Sequence, residues 1–173
     1  MALFELINLR KLRKAVLYII CIVAALWLQT MIFSRSGPLG VKPLFLPALI
    51  VVIGMFEGGV WGGLLGLLAG YFCDMNYSDS TVLFLILFSA YGFCSGLLTE
   101  FFINCRFLAY FLLTIFALLF TSFCQVLPFW IFRGTSLRLL APIALLQSAW
   151  SLPFAVLFYF VVKHIAGRER DRL

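Results

Sequence analysis

Only 13 basic and 7 acidic side chains occur in 173 residues, and they are spaced so unevenly that six long stretches carry no charge. These stretches are 15–34, 43–56, 58–73, 80–99, 107–132 and 139–162. A helix that crosses a bilayer needs roughly 20 consecutive apolar residues. The first, fourth, fifth and sixth stretches meet that length. The second and third are shorter, at 14 and 16 residues, and only Glu57 separates them. A water-soluble domain of this size keeps too much surface to hide such runs. Composition agrees: the chain is 64% hydrophobic and 12% charged, where a soluble domain has about 45–50% and about 25%. The sequence therefore predicts an all-α polytopic membrane protein forming a single membrane domain.

The middle of the chain poses the first topological question. One helix over residues 43–73 would be about 46 Å long, well beyond a hydrocarbon core of about 30 Å. A hairpin that breaks at Glu57-Gly58-Gly59 resolves this, since adjacent glycines favour a turn. Six spans result, over about 15–34, 43–56, 59–73, 80–99, 107–130 and 142–162, with short tails at 1–14 and 163–173. Lys and Arg concentrate on the cytoplasmic side of membrane proteins. Arg10, Lys11, Arg13 and Lys14 precede the first span, and Lys163, Arg168, Arg170 and Arg172 follow the last. Both tails are therefore expected in the cytoplasm. An even number of spans then splits the cations nine inside and four outside. The first apolar run is expected to remain as an anchor, being longer than a signal-peptide core and lacking an A-x-A site. The N-terminal basic cluster is expected to orient that helix and touch anionic headgroups of the membrane lipid. No nucleic-acid partner is expected.

The third span carries the sharpest pattern, Gly59-Val-Trp-Gly-Gly-Leu-Leu-Gly-Leu-Leu-Ala-Gly70. At about 100° per residue, Gly59, Gly63, Gly66 and Gly70 fall within about 60° of one another. Gly62 and Ala69 lie on one flank of that stripe. Trp61, Leu64, Leu65, Leu68 and Phe72 are assigned to the opposite face. Helices in lipid associate where small residues let backbones approach. The face made by Gly59, Gly62, Gly63, Gly66 and Gly70, ending at Asp74, is thus the candidate surface for helix packing or partner binding. In the fourth span Ser89, Ala90, Gly92, Ser95 and Gly96 form a smaller patch that could receive it. Prolines are expected to be tolerated at 43, 47 and 142, near span starts, and to kink the spans at Pro128 and Pro153.

Ionisable groups inside a membrane are functional candidates, and few occur here. Glu57, Asp74, Glu100, Arg106 and His164 all sit at expected membrane edges. Gln29, Gln125 and Gln147 are the strongly polar groups within or near the spans. Cys21, Cys73, Cys94, Cys105 and Cys124 form no CxxC or Cys/His cluster and read as small apolar residues. No acidic proton relay, HExxH motif or Ser/His/Asp order is present. No catalytic residue, metal or cofactor is expected, and the chain reads as a membrane scaffold or a small-solute binding module.

Pro47-Ala-Leu-Ile-Val, Phe56-Glu-Gly-Gly-Val-Trp-Gly-Gly-Leu-Leu-Gly-Leu-Leu-Ala-Gly70 and Asp74, followed by Tyr91-Gly92 and Gly96-Leu97, resemble the bacterial rod shape-determining MreD family. The resemblance is closest over residues 47–100, and length, span layout and basic tails fit it. Where the family has a turn of small residues and glycine after the acidic position, this chain reads Met75-Asn-Tyr-Ser-Asp-Ser80. The resemblance implies a non-catalytic subunit of the cell-elongation machinery in the cytoplasmic membrane. Such a subunit binds the single-pass protein MreC and links the MreB filament to the RodA glycosyltransferase and its transpeptidase, which build peptidoglycan. The family fold is similar to the substrate-binding subunits of ECF vitamin importers. That similarity supplies the alternative, an ECF-type subunit. Such subunits usually show an Ala-x-x-x-Ala pair in the first span, where this chain has Ala15, Ala24 and Ala25 and no such pair.

Overall fold

The computed structural model describes residues 2–32, 44–76, 82–101, 107–133 and 137–170. They form six helices in chain order: α1 (Ala2–Ile32), α2 (Leu46–Glu57), α3 (Gly59–Asn76), α4 (Leu83–Phe101), α5 (Phe107–Arg133) and α6 (Leu137–Arg170). No strand occurs among the described residues. The outer end of the first expected span, the segment after Asn76, Cys105, Arg106 and Arg172 lie outside them.

Four of these helices are long and apolar enough to cross a bilayer, over Arg13–Met31, Leu83–Phe101, Phe107–Gln125 and Leu145–Gly167. This corrects the expectation of six full spans. With 12 residues, α2 is only about 18 Å long at 1.5 Å per residue. The 18 residues of α3 reach about 27 Å, but five glycines, Asp74 and Asn76 dilute their apolarity.

The two short helices form one antiparallel hairpin. Pro47 lies in the first turn of α2, where its missing N–H costs nothing. Gly58 alone separates α2 from α3, at φ +91°, a left-handed conformation that glycine adopts without a Cβ clash. Its N–H donates to the Gly54 carbonyl, and its own carbonyl accepts from Gly62 N–H, both at 2.9 Å.

The hairpin puts α2 at the centre of the molecule. Residues Leu46 to Met55 are all buried, as befits a helix that is apolar around its whole circumference. α2 packs against all five other helices. Phe45, at its start, stacks on Phe154 of α6 at 4.9 Å between ring centroids. Buried Tyr110 of α5 donates to the Ala155 carbonyl at 2.7 Å and lies 3.4 Å from that of Ala48, so one hydroxyl ties α5 to α6 and α2. Ser151 of α6 accepts from the Leu44 N–H at 3.1 Å and donates to the Gln147 carbonyl at 2.8 Å. α4 meets α5 through Tyr91 and Thr121, whose hydroxyls are 2.9 Å apart. α6 runs unbroken past both Pro142 and Pro153.

At the hairpin turn the two ends of the chain approach the same place. Glu57 accepts from the Tyr18 hydroxyl at 2.7 Å and from Lys14 at 3.4 Å, both on α1. Phe56 lies 6.1 Å, centroid to centroid, from Tyr159 of α6, whose ring carries the Lys163 ammonium at 5.7 Å.

Candidate functional site: a glycine seam between three helices

The glycine stripe of α3 faces inward and is covered by α4. Gly59, Gly62, Gly63, Gly66 and Gly70 are all buried. A Cβ built on Gly59 would stand 3.1 Å from the Phe93 carbonyl oxygen, and one on Gly70 would stand 2.5 Å from Leu85 Cα. On Gly66 it would press on the Phe88 carbonyl, 2.8 Å from its carbon, and 3.1 Å from Ile50 Cγ2. The order of these neighbours shows α3 and α4 running antiparallel. Gly92 and Gly96 of α4 return the contact, on the Gly62 carbonyl and on Gly58–Gly59. Three backbones converge at one level, where a Cβ built on Gly62 would stand 2.5 Å from Gly54 Cα and 2.6 Å from the Gly92 carbonyl oxygen.

The five stripe positions are not equivalent. At Gly63 the nearest atom to a built Cβ is Phe93 Cβ, at 3.5 Å, an ordinary contact. Gly62, Gly66 and Gly70 press on main-chain atoms that no side-chain rotation can move. Glycine is structurally required at these three and not at Gly63.

The buried arc of α3 is wider than the glycine stripe, which corrects one assignment. Trp61, Leu64, Leu68 and Phe72 are exposed as expected, but Leu65 is 4% exposed and belongs to the core. It lies only about 40° beyond Ala69 at 100° per residue, and α2 and α1 pack on α3 besides α4. In α4, Gly92, Ser95 and Gly96 are buried at the seam, Ser89 is half-buried, and Ala90 faces outward.

Asp74 closes the seam at its far end. Its two carboxylate oxygens accept from the main-chain N–H groups of Phe84, at 3.1 Å, and Leu85, at 2.9 Å. The first turn of a helix has N–H groups with no partner inside it, and a negative charge there also meets the positive end of the helix dipole. Asp74 thus caps α4 from a neighbouring helix.

Several contributors escaped the sequence reading. Gly54 belongs to the seam, and its signal was present: Gly54, Gly58, Gly62, Gly66 and Gly70 recur every four residues across the helix break. Tyr18, Tyr110 and the Tyr91–Thr121 pair carry long-range polar contacts and had no periodic signature. Gln29 is buried in α1, and Gln147 Nε2 lies 3.4 Å from Gln125 Oε1. Glu100 and His164 are exposed. Cys21, Cys73, Cys94 and Cys124 are free thiols. Among the described residues no three His, Cys, Asp or Glu side chains group closely enough to hold a metal ion.

These features define a helical, multi-pass membrane protein whose packing centre is a glycine-lined hairpin clasped by a third helix. Comparison with protein-family models, with curated proteins and with solved structures gives no match in any of the three.

Proposed function

We propose that this chain is a non-catalytic scaffold of the MreD kind in the bacterial cytoplasmic membrane, holding an MreC-like single-pass protein beside the cell-elongation machinery. One observation carries the reading. The residues behind the resemblance, Pro47–Val51, Phe56–Gly70, Asp74, Gly92 and Gly96, are those that build the hairpin, its seam with α4 and the α4 cap. A pattern that α2, α3 and α4 need for packing explains why the motif extends over three helices. On this reading both tails lie in the cytoplasm. The approach of Lys14 and Lys163 to one turn supports that arrangement. The partner then docks on an outward face, since α4 occupies the glycine stripe.

The test is co-purification of the tagged chain with the MreC-like protein of its own cell, together with depletion. Retention of that protein and rounding of depleted cells support the scaffold. Normal shape with no retained partner removes it. Reporter fusions at each terminus test the orientation, and a periplasmic signal from either one contradicts it.

One observation favours a second reading, the ECF-type substrate-binding subunit. The Gln125–Gln147 pair joins α5 to α6, and these two helices also carry the buried hydroxyls of Ser122, Ser148 and Ser151. The buried Gln125 Nε2 has no hydrogen-bond partner among the described residues. A stoichiometric vitamin released from the purified protein would establish that function in place of the scaffold.

A further inference from the structure

We propose that the outward face of α3 and α4 is shorter than the bilayer, thins it locally and gathers phospholipids with short acyl chains. The proposal needs only a surrounding membrane and stands apart from the scaffold reading.

The apolar part of α3 runs from Gly59 to Cys73, 15 residues, and that of α4 from Leu83 to Thr99, 17 residues. At 1.5 Å per residue these are about 22 Å and about 25 Å long, against a hydrocarbon core of about 30 Å. Tilting either helix only lowers the height it covers. The two helices end level with each other. Asp74 accepts from the N–H groups of Phe84 and Leu85 at one end, and Gly96 lies against Gly58–Gly59 at the other. The main-chain contacts of the seam keep either helix from sliding to cover more height.

A short span can also be accommodated when its flanking polar side chains reach outward to water. Both acids that flank α3 are held in place. The Asp74 carboxylate is fixed on the start of α4, and Glu57 is fixed by Tyr18 and Lys14. The lipid must therefore adjust. The mismatch is confined to one side of the molecule. α5 and α6, which pack on each other, carry no charge over 107–132 and 139–162, about 39 Å and about 36 Å of helix. The short side meets lipid with apolar groups: Val60, Leu64, Leu68 and Met75 of α3 and Ile86 and Phe93 of α4 are exposed. A lipid with shorter chains fits that height without being compressed.

The test reads the local lipid through quenching of Trp61, which is exposed on α3, in vesicles of equal parts dimyristoleoyl and dioleoyl phosphatidylcholine. One of the two lipids is brominated in each sample, and the quenching is divided by that in the same brominated lipid alone. The Trp61 signal is the difference between the wild-type chain and Trp61→Phe. Trp150, exposed on α6, is read in the same way with Trp150→Phe. Trp61 should report the shorter lipid enriched about twofold over the longer, and Trp150 should report no such enrichment. Glu100→Leu lengthens the apolar run of α4 at an exposed position and should reduce the enrichment at Trp61, whereas Glu100→Gln should preserve it. Equal quenching of Trp61 by the two lipids, the same enrichment at Trp150, no change in Glu100→Leu, or a loss in Glu100→Gln would each overturn the proposal. So would a Trp61 that neither lipid quenches, which would mean that protein covers this face.

Discussion

Gly62 of α3 and Gly92 of α4 meet backbone to backbone, so closely that a Cβ on Gly62 would lie 2.6 Å from the Gly92 carbonyl oxygen. About 100° further round the helix, the atom nearest to a Cβ built on Gly63 is Phe93 Cβ, at 3.5 Å, an ordinary contact. The pair allows a test within a single dipeptide. Alanine is a better helix former than glycine by about 1 kcal/mol, so Gly63→Ala should leave stability unchanged or raise it by up to that amount. Gly62→Ala gains the same propensity but must push two main chains apart, and overpacking costs about 1–3 kcal/mol. Reversible unfolding in mixed micelles should order the proteins Gly63→Ala, wild type, Gly62→Ala. The reverse order of the two variants would refute the seam.

A larger change extends the test to the partner. Gly66→Leu forces a branched side chain onto the Phe88 carbonyl and Ile50 and should deplete folded protein from the membrane. Leu64→Ala removes a side chain that is 52% exposed, where lipid replaces the lost contact, and should leave abundance near normal. Because α4 covers the stripe, loss of an MreC-like partner in Gly66→Leu should follow the loss of folded protein. Full abundance with selective loss of the partner would show that the stripe binds the partner and not α4.

The legible parts of this architecture were those with a period. Charge-free runs mark apolar helices because a buried charge in lipid is costly. The stripe of α3 was readable because 3.6 residues per turn place its glycines on one side. Leu65 was misassigned because the glycine stripe marks one face and cannot show that three neighbours, α4, α2 and α1, share α3. The full-span reading of α2 failed for a related reason: a run that is apolar all round fits a short core helix as well as lipid. The role of Asp74 was hidden because its partners, Phe84 and Leu85, are reached through main-chain atoms, which leave no mark on residue identity.

That cap makes a prediction of its own. Asp74→Ala leaves two N–H groups of α4 without their acceptor and should cost about 0.5–2 kcal/mol, the usual range for a lost helix cap. Asp74→Asn keeps one acceptor oxygen and loses the charge opposite the helix dipole, so its cost should be smaller. Hydrogen exchange gives the local readout. Protection of the Phe84 and Leu85 amides should fall in Asp74→Ala while that of Tyr110, in α5, holds. Unchanged protection at both amides would remove Asp74 from the cap.

The contacts to Glu57 differ enough to be ranked. Tyr18 is 1% exposed and donates to the carboxylate at 2.7 Å, a charged hydrogen bond of the class worth about 1.5–3 kcal/mol. Lys14 lies 3.4 Å away, and the two side chains are 27% and 19% exposed. Partly solvated ion pairs of this kind contribute about 0–1 kcal/mol. Tyr18→Phe should therefore destabilise more than Lys14→Gln, although it removes one oxygen and no charge. Glu57→Gln keeps an acceptor for the tyrosine and should fall between them. Salt separates the mechanisms: raising ionic strength should shrink the cost of Lys14→Gln, because surface charges are screened, and leave that of Tyr18→Phe nearly unchanged. If Lys14→Gln proves the more damaging at every salt concentration, α1 is held at the turn by the ion pair and the buried hydroxyl is incidental.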